Sequence, residues 1–439
     1  MRWITVLALL GFLAGPAAAI SSQEGDVEVL DGVALTHHFV QGGATLWHYV
    51  EGGVPDGEPV ILVAGLPESW FSFHHELAAL SSSYRVIGLD LFGQSVRPPT
   101  ASFAAADVAA DIVAFADAIG LYQFNYVGHD WGTVIGDRVA GLFPHRVRRY
   151  ARMELPVVLL DPTLPGGPPL EPPPQAPLFG NPVTAQQLLG APGLFTVLPA
   201  IYGILTVQPI DPLVLTRILD EWNQPAIVPT VVGLFSTNIP VSDPAGLLAF
   251  GVESFGLPPR MDMPVLLIQG EQDPTQPLCG FLGTPGADPA CTGTQPLATS
   301  RFENAPFVDL QVITGAGHFT ELEQPEQVSA ALLRLLDVRP PGSIRRVRDF
   351  FDEAVASGDL VGLGRRAKLA RLRLTLFERM LIAAQDLLDR GRERLACVVL
   401  GRSVLRSDGN DRPPDFVGGP AADDLGRLLG DLRWTLDCH

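Results

Sequence analysis

Phe124-Asn125-Tyr126-Val127-Gly128-His129-Asp130-Trp131-Gly132 is the stretch on which the fold turns, and Thr133 to Leu142 follow it with helical apolar spacing. A short buried strand, two glycines around a bulky centre and then a helix describe a sharp strand-to-helix turn. Such a turn lifts its central side chain into a cleft, above a helix N-terminus whose partial positive charge stabilises an anion. The residue lifted here is Asp130. A carboxylate in that place attacks a saturated carbon and forms an alkyl-enzyme ester, which water must then cleave.

Upstream of the turn, Thr36 to Val40 and Ala44 to Val50 read as two strands around Gly42-Gly43, a plausible opening hairpin. Their histidines, His37, His38 and His48, read as strand surface rather than metal ligands, because no acid or cysteine stands at ligand spacing beside them. Pro59 to Val63 is a continuous apolar run, as in a parallel strand covered on both faces. It leads into Ala64-Gly65-Leu66-Pro67-Glu68-Ser69-Trp70. Tyr84 to Asp90 makes another strand, and Ala105 to Ile119 has helical spacing. Alternating strands and helices predict a doubly wound, mostly parallel α/β sheet with its site at the carboxyl ends of the strands.

Downstream, a strand ends at Arg152-Met153-Glu154, and from 156 to 259 the strand rhythm gives way to proline, glycine and helical stretches. It resumes with Pro264 to Gly270, followed by Glu271-Gln272-Asp273-Pro274, and with Val308 to Ile313, followed by Gly315-Ala316-Gly317-His318-Phe319-Thr320-Glu321. A histidine delivered by a strand end is suited to general-base work, its pKa lying nearest neutrality.

These motifs, in this order over residues 36 to 338, resemble the α/β-hydrolase family, and within it the branch of epoxide hydrolases and haloalkane dehalogenases. The resemblance implies a triad of Asp130 as nucleophile, His318 as base for water and Asp273 as the acid orienting the histidine, with Glu154 as the reserve acid. It implies an oxyanion hole made by the Leu66 and Trp131 N–H groups, with Ala64 where the family usually has histidine. It also implies a helical lid over 156–259 that divides the core into 20–155 and 260–338. In the lid, Phe235 falls where epoxide hydrolases carry a proton-donating tyrosine, and Tyr202, the only lid tyrosine, reads first as core or lid packing, with proton donation as the alternative. Asp90 and Ser95 read as loop-bracing residues. The resemblance requires no cofactor and no metal. Its spelling leans towards epoxide hydrolase and a small apolar electrophilic substrate. The alternatives are a haloalkane dehalogenase using the Trp131 indole for halide, and a binding protein that keeps the triad without turnover.

At 439 residues the chain exceeds one compact domain, and 47% hydrophobic residues are ample for its cores. Arg2, the apolar run Ile4 to Leu13 and Ala17-Ala18-Ala19 read as a signal peptide over 1–19, implying a secreted, periplasmic or envelope protein with no membrane span after processing. Four cysteines in an exported chain allow three pairings, and their order favours Cys279 with Cys291 and Cys397 with Cys438. Residues 341–439 carry 17 Lys and Arg against 15 Asp and Glu, leaving 13 against 33 in residues 1–340. So acidic a catalytic region argues against nucleic-acid binding. After Arg339-Pro340-Pro341-Gly342, helical spacing over Ile344–Ala356, Arg365–Arg390, Arg392–Leu405 and Pro420–Leu436 predicts a helical module over 343–439, with arginines on solvated faces and a partner that the sequence leaves open.

Overall fold

A computed structural model describes residues 21–154, 174–239, 261–275, 302, 305–340, 342–409 and 414–438. Cys279, Cys291 and the whole of the expected signal peptide over 1–19 lie outside those residues.

Nine strands form one sheet: β1 (Val27–Leu30), β2 (Val33–Gly42), β3 (Thr45–Gly53), β4 (Glu58–Val63), β5 (Tyr84–Leu89), β6 (Phe124–His129), β7 (Val147–Met153), β8 (Val265–Gly270) and β9 (Val308–Ile313). They lie in the order β1-β2-β3-β5-β4-β6-β7-β8-β9. β1, β2, β3 and β5 pair antiparallel, and from β5 through β4 to β9 every pairing is parallel. β4, β6, β7 and β8 are buried along almost their whole length, β4 and β8 on apolar runs and β7 with its three arginines paired to Glu58 and Asp137.

Helices α1 (His74–Leu80), α2 (Ala105–Ala118) and α3 (Trp131–Leu142) connect the first strands. In the segment between β7 and β8, α4 (Ala176–Phe179), α5 (Pro182–Leu189), α6 (Leu194–Leu205), α7 (Pro212–Trp222) and α8 (Ile227–Asn238) make the helical cover. Asn181 caps α5 by accepting from the Val183 and Thr184 N–H groups, and Asp211 caps α7 from Leu213, which is why those helices start where they do. α9 (Thr320–Glu323) and α10 (Pro325–Asp337) close the core after β9.

The last hundred residues fold around a core of their own, in which Val347, Phe350, Phe377, Leu400, Leu425 and Leu429 are buried. It is built from α11 (Ile344–Ser357), the short antiparallel pair β10 (Val361–Gly362) and β11 (Val417–Gly418), α12 (Ala367–Asp389), α13 (Glu393–Val404) and α14 (Ala422–Thr435). The expected disulfide joins Cys397 of α13 to Cys438. Charged contacts fix the module to the sheet. The fully buried Arg346 guanidinium donates to the carbonyl oxygens of Val147 and Asp262, Glu353 pairs with His145 and Arg146, and Asp431 with Arg148. Val147 is the first residue of β7, so this docking is at the amino end of the strands. No single described helix is long and apolar enough to cross a membrane.

His37 and His48 of the opening hairpin correct the surface reading, while His38 stays partly exposed beside Glu24. His48 is fully buried, its Nδ1 2.7 Å from Asp90 Oδ2 and its Nε2 2.9 Å from the Nδ1 of the buried His37. β3 is an inner strand, covered by β2 on one side and β5 on the other, so its histidine needs an internal partner. Asp90 and Ser95 do brace their loop: Asp90 accepts from the Trp70 and Gln94 N–H groups, and the Ser95 hydroxyl donates to the Asp90 carbonyl.

Candidate active site

Asp130 stands between β6 and α3 with φ 49° and ψ −116°, a left-handed conformation rare for a residue with a side chain. The neighbouring geometry holds it there. The Thr133 hydroxyl donates to the carbonyl oxygens of Gly128 (2.6 Å) and Met153 (2.9 Å), tying the turn to β7, and the Asp130 N–H reaches the Met153 carbonyl at 3.3 Å. A Cβ on Gly132 would collide with the Val63 carbonyl, so the helix can approach β4 only with glycine there.

The loop after β4 lies against this carboxylate. The Leu66 N–H donates to Asp130 Oδ1 at 2.8 Å, the position of an oxyanion donor. A Cβ on Gly65 would strike the Asp130 carboxylate and come within 2.7 Å of the Trp131 nitrogen. The two amides expected to form the oxyanion hole therefore flank the Asp130 carboxylate, and the side chain is about one quarter exposed.

His318 Nε2 lies 3.8 Å from Asp130 Oδ2, and its Nδ1 lies 3.0 Å from Asp273 Oδ2. Asp273 is held in turn by the Thr275 N–H (2.8 Å) and hydroxyl (2.7 Å) and by the Gln269 amide (3.2 Å). Burial alone would raise the Asp273 carboxyl, but the His318 charge and hydrogen bond, with the bonds from its neighbours, hold it down to about 2. Burial likewise opposes a charged His318, yet the Asp273 carboxylate, with Asp130 adding to it, raises the imidazole well above its ordinary value.

Glu154 ends β7 with φ 49°, the same uncommon backbone conformation as Asp130. Its Oε1 accepts the Gly270 N–H at 2.7 Å, and its carboxyl lies beside Asp273 and His318. Burial, followed by the Asp273 charge, pushes Glu154 well above the carboxylate range. Both acids named from the sequence therefore gather at one imidazole. Asp273 makes the direct contact, and Glu154 stands behind it, its carboxyl beside Asp273 and pushed towards the protonated form.

A second cluster was not singled out from the sequence as functional. His129, the residue before Asp130, has Nδ1 2.5 Å from Glu68 Oε2, and its Nε2 donates to the His318 carbonyl at 2.9 Å. Glu321 lies 3.9 Å from the same Nε2. All three side chains are fully buried. Burial, then the Glu68 charge, raises the Glu321 carboxyl, whereas the neighbouring imidazole overcomes burial to hold Glu68 low. One residue from each of three site loops thus meets in a single network. The signal was the presence of His or Glu within each of those motifs. Among the described residues this cluster, the Glu154-Asp273-His318 group and Asp31-His74-His75 bring carboxylate and imidazole atoms within 4.8 Å. In each of the three, a carboxylate and an imidazole pair directly with one another.

The helical cover seals the upper side. Phe235, in α8, is buried with its ring 5.0 Å from Trp131 and 5.4 Å from Phe179, so an apolar wall stands beside the nucleophile. The Tyr202 hydroxyl donates to the Pro67 carbonyl at 3.0 Å, next to the Leu66 amide, while its ring packs 4.4 Å from Phe319. Burial, then the charges of Glu68 and Glu321, pushes this phenol well above 10. Glu323 joins cover to core: it accepts from the Val207 and Gln208 N–H groups and from Gly317, and the His318 N–H donates to Leu205.

A family model described as alpha/beta hydrolase fold matches residues 58–187. A bifunctional epoxide hydrolase 2 of Sus scrofa is 36% identical over 140 residues, which are 30% of this chain and 25% of that protein. Epoxide hydrolase B of Mycobacterium tuberculosis is 32% identical over 130 residues, 28% of this chain and 36% of that one. The chain thus spans between a quarter and about a third of the length of these relatives. Among solved structures, epoxide hydrolase VrEH1 from Vigna radiata superposes with a TM-score of 0.53 at 20% identity, covering 69% of this chain and 98% of that one. Sheet order, strand-end site and these likenesses agree on the fold.

Proposed function

We propose, for a chain that has the α/β-hydrolase fold and a core related in sequence to the epoxide hydrolases, that it is an exported hydrolase opening small apolar epoxides through an ester on Asp130. One observation carries this reading: the strained Asp130 presents Oδ1 to the Leu66 amide and Oδ2 to His318 Nε2. A nucleophile, an oxyanion donor and a base oriented by an acid are then within reach of one reacting carbon.

Oδ2 attacks a ring carbon, the carbon–oxygen bond of the epoxide breaks, and the ring oxygen takes a proton. With Phe235 in place of the expected tyrosine, Tyr202 supplies that proton as the one phenol of the lid. Water then gives a proton to His318 and attacks the Asp130 carboxyl carbon. The oxyanion that forms faces the Leu66 and Trp131 amides. Collapse releases a vicinal diol and restores the carboxylate; the phenolate left by ring opening has by then been reprotonated by His318, which recovers its proton from the water. The net change is epoxide plus water to diol.

The test is the intact mass of His318→Ala after exposure to a panel of epoxides and haloalkanes. Without its base the enzyme accumulates the ester, and an increment equal to the whole epoxide is expected. An alkyl increment lacking its halogen would replace this reading with dehalogenation at Trp131. A folded variant with no adduct at all would leave a binding protein on the same fold.

A further inference from the structure

The helical module presents a surface that its own fold does not use. α12 buries Phe377, Leu381 and Ala384 against the rest of the module, with Leu374 and Leu388 packed on the same side. Its opposite face carries Leu369, Leu372 and Leu376 in one stripe, exposed by 40%, 54% and 36%. At 100° per residue these three lie within an arc of about 60°, turned about 120° to 180° away from Leu381.

Cations border the stripe. Arg365, Arg366, Lys368, Arg371, Arg373 and Arg379 fall between positions 365 and 379 with Glu378 as the single acid, in a chain whose net charge is −18. All but Arg373 are exposed. The first turn of α12 holds no acid, and Arg366 and Lys368 stand where the helix dipole is already positive. Both choices, exposed leucines and cations at a helix start, act against the stability of the isolated module. α13, packed along α12, carries Leu395 and Val398, each more than half exposed, between Arg394 and Arg402.

We propose that the outward face of α12 seats this protein on an anionic lipid surface, with the leucines at the acyl boundary and the flanking arginines and lysine on lipid phosphates. An apolar stripe edged by Lys and Arg on a surface helix is the pattern that interfacial helices use. A second copy of the chain docked on the same face would set cation against cation. A nucleic acid would meet leucines at the centre of the contact, where phosphates need donors. The module is anchored at Val147, His145 and Arg146, at the amino end of β7, so a lipid surface under α12 engages a part of the fold remote from Asp130 and His318.

The full chain, with Cys397–Cys438 oxidised, is sedimented with phosphatidylglycerol–phosphatidylcholine vesicles and with phosphatidylcholine alone, at low and high salt. Binding to the anionic vesicles at low salt is expected, with much weaker binding to neutral ones. Arg365→Gln/Arg366→Gln/Lys368→Gln should lower the partition coefficient roughly a hundredfold, at about fivefold per cation. Leu369→Gln/Leu372→Gln/Leu376→Gln should lower it at least tenfold with melting temperature unchanged. If that triple variant does not fold, Leu372→Trp serves, and its emission should shift to the blue on anionic vesicles. Absence of binding by the parent chain, wild-type binding by the leucine variant or an unshifted tryptophan would overturn the proposal. A concentration-dependent dimer abolished by the leucine substitutions would overturn it in favour of self-association, and capture of an acidic protein without vesicle binding in favour of a protein partner.

Discussion

Replacing Glu154 by glutamine removes one titratable proton while keeping size, shape and the acceptor for the Gly270 N–H at 2.7 Å. Burial and the Asp273 charge place the Glu154 carboxyl well above its ordinary value of 4.5. A group raised on folding contributes stability that is complete below its unfolded value and is lost as pH climbs towards the folded one, because only the unfolded chain releases the proton. The glutamine variant carries no such loss. The difference in unfolding free energy between Glu154→Gln and the parent should therefore rise in favour of the variant as pH climbs above the ordinary carboxylate range, approaching about 1.4 kcal/mol per pH unit while Glu154 keeps its proton in the fold. The titrations of Asp273 and His318 are common to both proteins and largely cancel in the difference. Urea unfolding at half-unit pH steps measures it, provided the slope with denaturant is the same for both. A difference flat from pH 5 to pH 7 would mean that Glu154 is ionised in the folded protein, and the assignment of a neutral carboxyl behind Asp273 would be wrong.

Further expectations concern chemistry and the second core. Asp273→Asn should slow hydrolysis of the Asp130 ester by the order of 10⁴-fold, since an amide cannot hold the histidine tautomer; Glu154→Gln should cost far less, and single-turnover decay of the ester measures both. Tyr202→Phe should slow formation of the ester from an epoxide roughly a hundredfold or more while leaving its hydrolysis unchanged, as rapid-quench mass spectrometry would show. Gly65→Ala drives a methyl group into the Asp130 carboxylate, so ester formation should fall below detection while the variant, checked by circular dichroism, still folds. Reducing Cys397–Cys438, which closes a loop over a separation of 41 residues, should destabilise the helical module by about 4 kcal/mol, seen as earlier exchange of its amides, with the sheet unaffected.

The parts of this fold that the sequence makes legible are those specified locally. The elbow at Gly128 to Gly132 is written as strand, glycines and helix. The buried strands β4, β6 and β8 are unbroken apolar runs, and the helices of the module follow their spacing to within a few residues. What it conceals depends on distant partners. His48 looks like a surface residue until Asp90, 42 positions on, arrives beside it. α8 contains Ile227, Val228, Pro229, Thr230, Val231 and Val232, residues of weak helix propensity, and is helical because Val231, Leu234 and Phe235 are buried against the core. β1 carries two outward valines, one acid and one leucine, too little pattern to announce a strand. The positive φ of Glu154 has no signature at all in Arg152-Met153-Glu154, although it aims the side chain at the site.

On the proposed mechanism, the charges around His318 explain the order of its two tasks. In the resting site two carboxylates face the imidazole, Asp130 at 3.8 Å and Asp273 at 3.0 Å, and together they favour its proton. A protonated imidazole cannot activate water, so the resting enzyme is poorly set up for hydrolysis. Ester formation removes the Asp130 charge and leaves Asp273 as the only anion in contact. The proton affinity of His318 falls at the moment when a base is needed, and its proton passes to the Tyr202 phenolate that ring opening has left. This works only if no further negative charge takes the place of the one lost. Glu154 lies against Asp273, and an ionised carboxylate there would keep His318 protonated after Asp130 had been esterified. Its neutrality follows from its complete burial and from the Asp273 charge beside it. The reserve acid of the site thus serves here by not being ionised.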